Sequence, residues 1–324
     1  MAYLLPLPAR DADGPNLADG WLRFDRVARL ERGRPREVVP ISACAAAELA
    51  PLISPRAPVA GLTFDAPRVM GILNITPDSF SDGGAHLAVD AASAVADRMT
   101  GADILDLGAE STRPGAVQIP ATEEIARLAP VLAALGNRRI SVDTRKAEVA
   151  RHALAAGATM INDVSALAFD PGMAATVAAS EAAICLMHSV GTPETMQDDP
   201  RYGDVLLDVY DALADRIDAA LAAGIPRDRI VVDPGIGFGK TRNHNLALLR
   251  DIGLFHGLGV PVLLGASRKR FIGDLGTAPA PRDRGPGTLA VTLASVAQGI
   301  QIHRVHDVPE TVQALALWRA VTGE

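Results

Sequence analysis

The sequence predicts a (β/α)8 barrel with an N-terminal extension, and three observations predict it. Apolar runs begin near residues 69, 103, 139, 160, 183, 230, 261 and 300, helical patterns fill most of the intervals, and many of the runs finish in a charged or amide side chain. Alternating strands and helices build a parallel sheet covered by helices. Eight such units close most simply as a barrel, with a doubly wound open sheet as the alternative. Barrel sites sit at the C-terminal strand ends, where these polar side chains stand.

Residues 1–60 differ from the rest. WLRFDRVARLERG reads as a strand or hairpin, an Ala-rich SACAAAELAPLI follows, and a Pro-rich exit leads into the barrel, residues 61–324. This is an appended module, for which packing against the barrel bottom and dimerisation are the roles considered. Within the barrel, VMGILN ends at Asn74, and apolar spacing marks helices over 89–99, 123–135, 146–156, 204–223, 245–252, 288–298 and 309–321. Gly101, Gly136, Gly157, Gly224 and Gly299 stand where several of them stop. Three connections, 76–88, 109–122 and 189–203, are long and rich in Gly, Pro, Thr and Asp. The first two are read as lids over the mouth.

At 324 residues with 48% hydrophobic side chains, the chain can bury one large core. A net charge of −7 argues against general affinity for nucleic acid or anionic membrane, so the ligand should be small. Two cysteines, Cys44 and Cys185, do not suggest a disulfide framework. No basic leader opens the chain and no run reaches the ~18 apolar residues of a membrane span, so a soluble, cytoplasmic protein is expected.

After the last two strands stand Ser267, Arg268 and Lys269, then Arg304 and His306. Cations, a hydroxyl and an imidazole at that end of a barrel suit a phosphate or diphosphate. Asp143, Asn162, Asp163 and Asp233 close three other strands. Such groups suit the edge of a guanidine-like heterocycle, with metal ligation or helix capping as alternatives. Strand alternation turns Asp163 away from Asn162 and makes it structural. The chain has three lysines, and Lys146 is read as a solvated helix start, with Lys240 undecided between that and a role as a point charge. PGIGFGKT, residues 234–241, narrowly misses a P-loop because Pro234 stands where Gly is needed; its glycines instead let backbone approach a ligand, with Phe238 as a flat wall. No Ser-His-Asp order, HExxH or CxxC is present. Any metal is then hard and oxygen-bound, and Asn74 with a diphosphate would suit Mg²⁺.

GILNITPDSFSDGG, GADILDLGAESTRPGA, ISVDT, MINDVSAL, LMHSVGTP, VVDPGIGFGK, GASRKRFIG and RVHDV together resemble the dihydropteroate synthase family, over roughly residues 62–322. The resemblance implies a (β/α)8 enzyme, usually a homodimer, that condenses 6-hydroxymethyl-7,8-dihydropterin diphosphate with p-aminobenzoate in folate synthesis. It implies that Asn74 meets Mg²⁺ and diphosphate, and that Asp143, Asn162, Asp233 and Lys269 hold the pterin, with Met187 and Gly265 lining its slot. Arg304, His306 and Ser267 would grip the diphosphate. Phe80, Thr112, Arg113, Pro114 and Phe238 would enclose p-aminobenzoate. Glu194 and His303 depart from the family's usual residues. A methyltetrahydrofolate-corrinoid methyltransferase would not need the STRPG, SRK and RVHD motifs together, and a non-catalytic paralogue should have lost some of them. Because an arylamine is unprotonated at neutral pH, no dedicated general base is expected; Asp143, Lys269, Arg304 and His306 would act on charge.

Overall fold

The computed structural model describes residues 2–75, 85–111, 118–191, 196 and 199–323. The N-terminal module is a three-stranded antiparallel sheet of β1 (Tyr3–Pro8), β2 (Phe24–Leu30) and β3 (Glu37–Pro40), followed by helix α1 (Ala46–Ile53). The segment read as a strand or hairpin supplies only the central strand, β2. β1 escapes sequence reading because YLLPLP carries two prolines, tolerable in a strand that pairs on one side alone.

Eight parallel strands follow: β4 (Arg68–Asn74), β5 (Ile104–Gly108), β6 (Ile140–Asp143), β7 (Met160–Asp163), β8 (Ala183–Met187), β9 (Ile230–Asp233), β10 (Leu263–Leu264) and β11 (Ile302–Val305). They pair in chain order from β4 to β9, and β10 joins β11, which returns to β4. A parallel bridge between Val232 and Val262 brings β9 to β10 and closes the barrel. Helices α2 (Ala85–Arg98), α3 (Ala121–Leu135), α4 (Ala147–Ala155), α5 (Met173–Ala178), α6 (Val205–Ala222), α7 (Arg242–Arg250), α8 (Arg270–Leu275), α9 (Gly285–Val296) and α10 (Val308–Thr322) cover it. The sequence reading lacks α5 and α8, each of 6 residues and too short to show a helical period.

Alternation along each strand divides the side chains in two. Leu73, Leu107, Val142, Ile161, Ile184, Leu186, Val232 and Val305 belong to the large core shared with the helices. Met70, Ile104, Met160, Ala183, Val231, Leu263 and Ile302 form a separate cluster that includes Val59, Leu62 and Phe64. Val59 and Leu62 pair through a short bridge, so residues 59–64 plug the barrel interior at its N-terminal end. This plug straddles residues 60 and 61, between which the sequence reading divides the chain. With the bottom filled by apolar side chains, the polar strand ends stand at the opposite end of the barrel.

The N-terminal sheet lies on the outer helices. Tyr3 donates to Asp211 at 2.8 Å, Arg32 pairs with Asp208 and Asp211 at 2.5 and 2.6 Å, and Arg36 reaches Asp251 at 2.9 Å. Arg56 fastens α1: its guanidinium donates to the Pro51 and Ser54 carbonyls at 2.6 and 3.0 Å and to His256 O at 3.0 Å. Burial, helped by Arg227, lowers its pKa to about 10, so it stays charged at neutral pH. Arg56→Ala leaves three carbonyls without this donor; an expected loss of about 2 kcal/mol in urea unfolding would measure how firmly the module is tied to the barrel.

Candidate active site

One register row runs across the mouth: Asn74 pairs with Gly108, Gly108 with Asp143, and Asp143 with Asn162. Since neighbouring residues in a parallel ladder share a face, all four project into the barrel. A Cβ placed on Gly108 would lie 3.6 Å from Asp143 Cβ and 3.8 Å from Asn74 Oδ1, so glycine keeps open the space between the two side chains. Asp106 lies on the same face one step deeper, fully buried.

Arg304, at the end of β11, reaches across to these acids. Its Nε donates to Asp106 Oδ2 at 2.5 Å and its Nη2 to Asp143 Oδ2 at 2.9 Å, while Asn162 Nδ2 donates to the same Asp106 oxygen at 3.1 Å. Among the described residues Asp106 Oδ1 and Asp143 Oδ1 are buried without a hydrogen-bond donor, two acceptors suited to a ligand carrying N–H groups. Burial pushes the Asp143 carboxyl up to about 7; Arg304 opposes this, but Asp106 lies beside it and one guanidinium cannot neutralise both acids. Asp106 is absent from the residues that the sequence marks, although its position two residues before Gly108 in ILDLG gives it the same inward parity.

On the opposite wall, Met187 of β8 pairs with Asp233 of β9. Asp233 is buried and accepts from Gly235 N at 2.7 Å; burial raises its pKa, against the pull of that N–H and of Lys269. Gly265 follows β10, and a Cβ there would sit 3.2 Å from Asp233 Oδ2. The Lys269 ammonium lies 4.0 Å from the centre of the Phe238 ring, a cation–π contact at the rim. Ser267 Oγ and His306 Nδ1 are 2.9 Å apart. The sequence reading groups Arg304 with this pair as anion ligands; its guanidinium instead rests on the carboxylates while Ser267 and His306 contact each other.

Phe80, Thr112, Arg113 and Pro114, together with Glu194, fall outside the described residues. His303 faces outward and is buried, with its Nε2 2.9 Å from Ile300 O; burial lowers its pKa to about 4. Asp163 is structural, as alternation predicts: it accepts from Ser165 N, Ser165 Oγ and Leu167 N at 2.8, 2.6 and 2.7 Å. Lys146 corrects the sequence reading. It is buried rather than solvated, with Nζ 2.6 Å from Glu124 and 3.0 Å from Glu110, and two acids compensate its charge. Lys240 is likewise buried, its pKa lowered by burial to about 7.

Among the described residues no three His, Cys, Asp or Glu side chains converge as a metal-ligand set. The Asn74 amide oxygen is a single hard donor at the mouth. That fits a magnesium ion taking its remaining ligands from water and from substrate phosphates, and it does not suit a cation needing a full protein cage.

Residues 70–306 match the family of pterin binding enzymes. The chain is 44% identical over 264 residues to dihydropteroate synthase of Escherichia coli (strain K12), covering 80% of this chain and 93% of that protein. It is 46% identical over 266 residues to the enzyme of that name from Neisseria meningitidis serogroup B, covering 79% and 93%. Among solved structures, dihydropteroate synthase of Xanthomonas albilineans with 4-aminobenzoic acid superposes with a TM-score of 0.77 at 48% identity, covering 83% of this chain and 99% of that one. The Burkholderia cenocepacia dihydropteroate synthase complexed with 7,8-dihydropteroate gives 0.75 at 43% identity, covering 83% and 97%.

Proposed function

Because the chain belongs to the dihydropteroate synthase family of pterin binding enzymes, we propose that its barrel mouth carries out that family's reaction with the residues described above. The enzyme is a transferase that condenses 6-hydroxymethyl-7,8-dihydropterin diphosphate with p-aminobenzoate in folate biosynthesis, giving 7,8-dihydropteroate and diphosphate. The observation that best supports this assignment of residues is the pair of buried acidic walls, Asp106–Asp143–Asn162 and Asp233, facing each other across the mouth. A flat ring bearing an amino group and ring N–H donors would fill the orphaned Asp106 and Asp143 oxygens on one side and meet Asp233 and Lys269 on the other.

The bond from the pterin methylene to the diphosphate oxygen breaks as the arylamine nitrogen bonds to that carbon, and the amine proton passes to solvent. Positive charge develops on the ring and negative charge on the leaving group. Asp143 and Asp233 stabilise the first, and His306 with Ser267 receives the second. Arg304, held by two carboxylates, is positioned to shift toward the departing anion once the pterin satisfies Asp106 and Asp143. Asn74 would be the residue that helps hold a Mg²⁺ ion, whose charge would further neutralise the leaving group. Phe238 would form one wall against the arylamine, and the family resemblance assigns Phe80, Thr112, Arg113 and Pro114, which lie outside the described residues, to the same enclosure.

Among the described residues no helix is long and apolar enough to cross a membrane. Family resemblance supports a cytoplasmic homodimer, which sedimentation at micromolar concentration would check. The deciding assay supplies the pterin diphosphate, p-aminobenzoate and Mg²⁺ and follows both products. Dihydropteroate and diphosphate should appear together and fall away with EDTA; folded protein that forms neither would refute the assignment, and turnover indifferent to EDTA would remove the metal from it.

A further inference from the structure

We propose that Lys240 is a positioning residue for this reaction, tying the segment after β8 to the glycine loop after β9 so that Phe238 is seated beside the substrates. The inference rests on the function proposed above and extends it to two residues outside the pocket wall, Lys240 and His188.

The Lys240 ammonium is buried and makes three contacts: His188 Nδ1 at 2.9 Å, His188 O at 3.2 Å and Phe238 O at 3.0 Å. An ammonium has three donors and no acceptor, so all three fit one geometry, and His188 then carries its ring proton on Nε2. None of the three partners is a carboxylate. Burying a cation whose hydrogen bonds all go to neutral acceptors is costly even with Asp233 attracting it through space, since Lys269 opposes that attraction, and a purely space-filling role would be met as well by an apolar side chain. What the lysine adds is a fixed distance between two loops.

Those loops are pressed together for other reasons as well. Gly235 has a φ of +67°, and a Cβ there would come 1.9 Å from His188 O; one on Gly239 would come 3.0 Å from Val190 O. The glycines allow the approach, and Lys240 sets its register. The Phe238 carbonyl is thus held from beneath while its ring faces the Lys269 ammonium at 4.0 Å, and a Cβ on Gly237 would lie 3.2 Å from Lys269 Cδ. Lys269 starts from the separate loop after β10, so release of Lys240 should move Phe238 first.

The test compares full-length wild type, Lys240→Met, His188→Leu and His188→Asn, whose amide oxygen can replace Nδ1 as acceptor. Loss of the tie should raise KM for p-aminobenzoate about tenfold in Lys240→Met. The rise should be smaller in His188→Leu, where the main-chain carbonyl of residue 188 still accepts from the ammonium, but clearly larger than in His188→Asn. In both Lys240→Met and His188→Leu kcat should stay within about threefold, since a misplaced enclosing wall weakens capture more than chemistry. His188→Asn should stay within about threefold of wild type in both constants, and the double variant should be no worse than the poorer single one. A lowered melting temperature with unchanged KM would reduce Lys240 to a structural role and overturn the proposal, as would equal effects of His188→Asn and His188→Leu. If Lys240→Met does not fold, the two His188 variants decide alone. Inactive wild type would instead sink the underlying function, so the two failures are distinguishable.

Discussion

Asp233→Ala is expected to abolish measurable pterin binding by calorimetry, and Lys269→Ala to do the same, while both proteins keep the wild-type circular dichroism spectrum. Burial is the cause. Asp233 is almost wholly removed from solvent, and its carboxylate is stabilised there by the Gly235 N–H and the field of Lys269. A ligand N–H donor meeting it makes a charge-assisted hydrogen bond in a site where water competes poorly. Removing the acceptor leaves that donor desolvated and unpaired, and a site built around such a bond discriminates by about 10⁴-fold or more. Asp233→Asn, which keeps the shape and one acceptor oxygen, should retain more affinity than Asp233→Ala. Unchanged affinity in Asp233→Ala and Lys269→Ala would place the pterin elsewhere in the barrel.

The same physics explains which parts of this protein were legible in the sequence. Strands buried on both faces read as continuous apolar runs, and a polar residue ending one is conspicuous, so Asn74, Asp143, Asn162 and Asp233 could all be found. Asp106 was hidden because it stands within its run, between Leu105 and Leu107, where only parity reveals its inward direction. The burial of Lys146 and Lys240 is hidden from the sequence for a different reason. Next to a helix start a lysine is normally solvated, and what buries these two is supplied from far along the chain, Glu110 and Glu124 for one and His188 for the other. Arg304 could be assigned to the mouth but not to its partners, since its contacts to Asp106 and Asp143 span 198 and 161 positions. The N-terminal sheet is half legible: Phe24, Val27, Ala28 and Leu30 mark β2 as an apolar run broken by charged residues, whereas the prolines of β1 conceal a strand that tertiary packing nevertheless imposes.

Arg304→Met should have the second large effect, on stability as well as turnover, and its pH dependence identifies the cause. The substitution leaves Asp106 and Asp143 facing each other with their shared cation gone, and breaking a buried ion pair from one side typically costs about 3–5 kcal/mol. Asp143 titrates near 7 in the folded protein, above its ordinary 3.8. Between those values the folded chain holds a proton that the unfolded chain has released, so its contribution to stability falls as pH rises toward 7 and is level above it. Without Arg304 the folded value rises further and the decline extends to higher pH. The difference in urea stability between Arg304→Met and wild type should therefore be larger at about pH 8 than at about pH 5, the widening lying above about pH 7 where only the wild type has released the proton, and adding Asp143→Asn should flatten it, since that variant has no proton to lose. Dihydropteroate formation should fall in Arg304→Met because one cation fewer receives the leaving diphosphate, and Asp143→Asn should not restore it, since Asp143 itself meets the pterin ring. A penalty equal at both pH values would show that Arg304 stabilises the barrel by packing alone and that its two carboxylate contacts contribute little to the balance of charge.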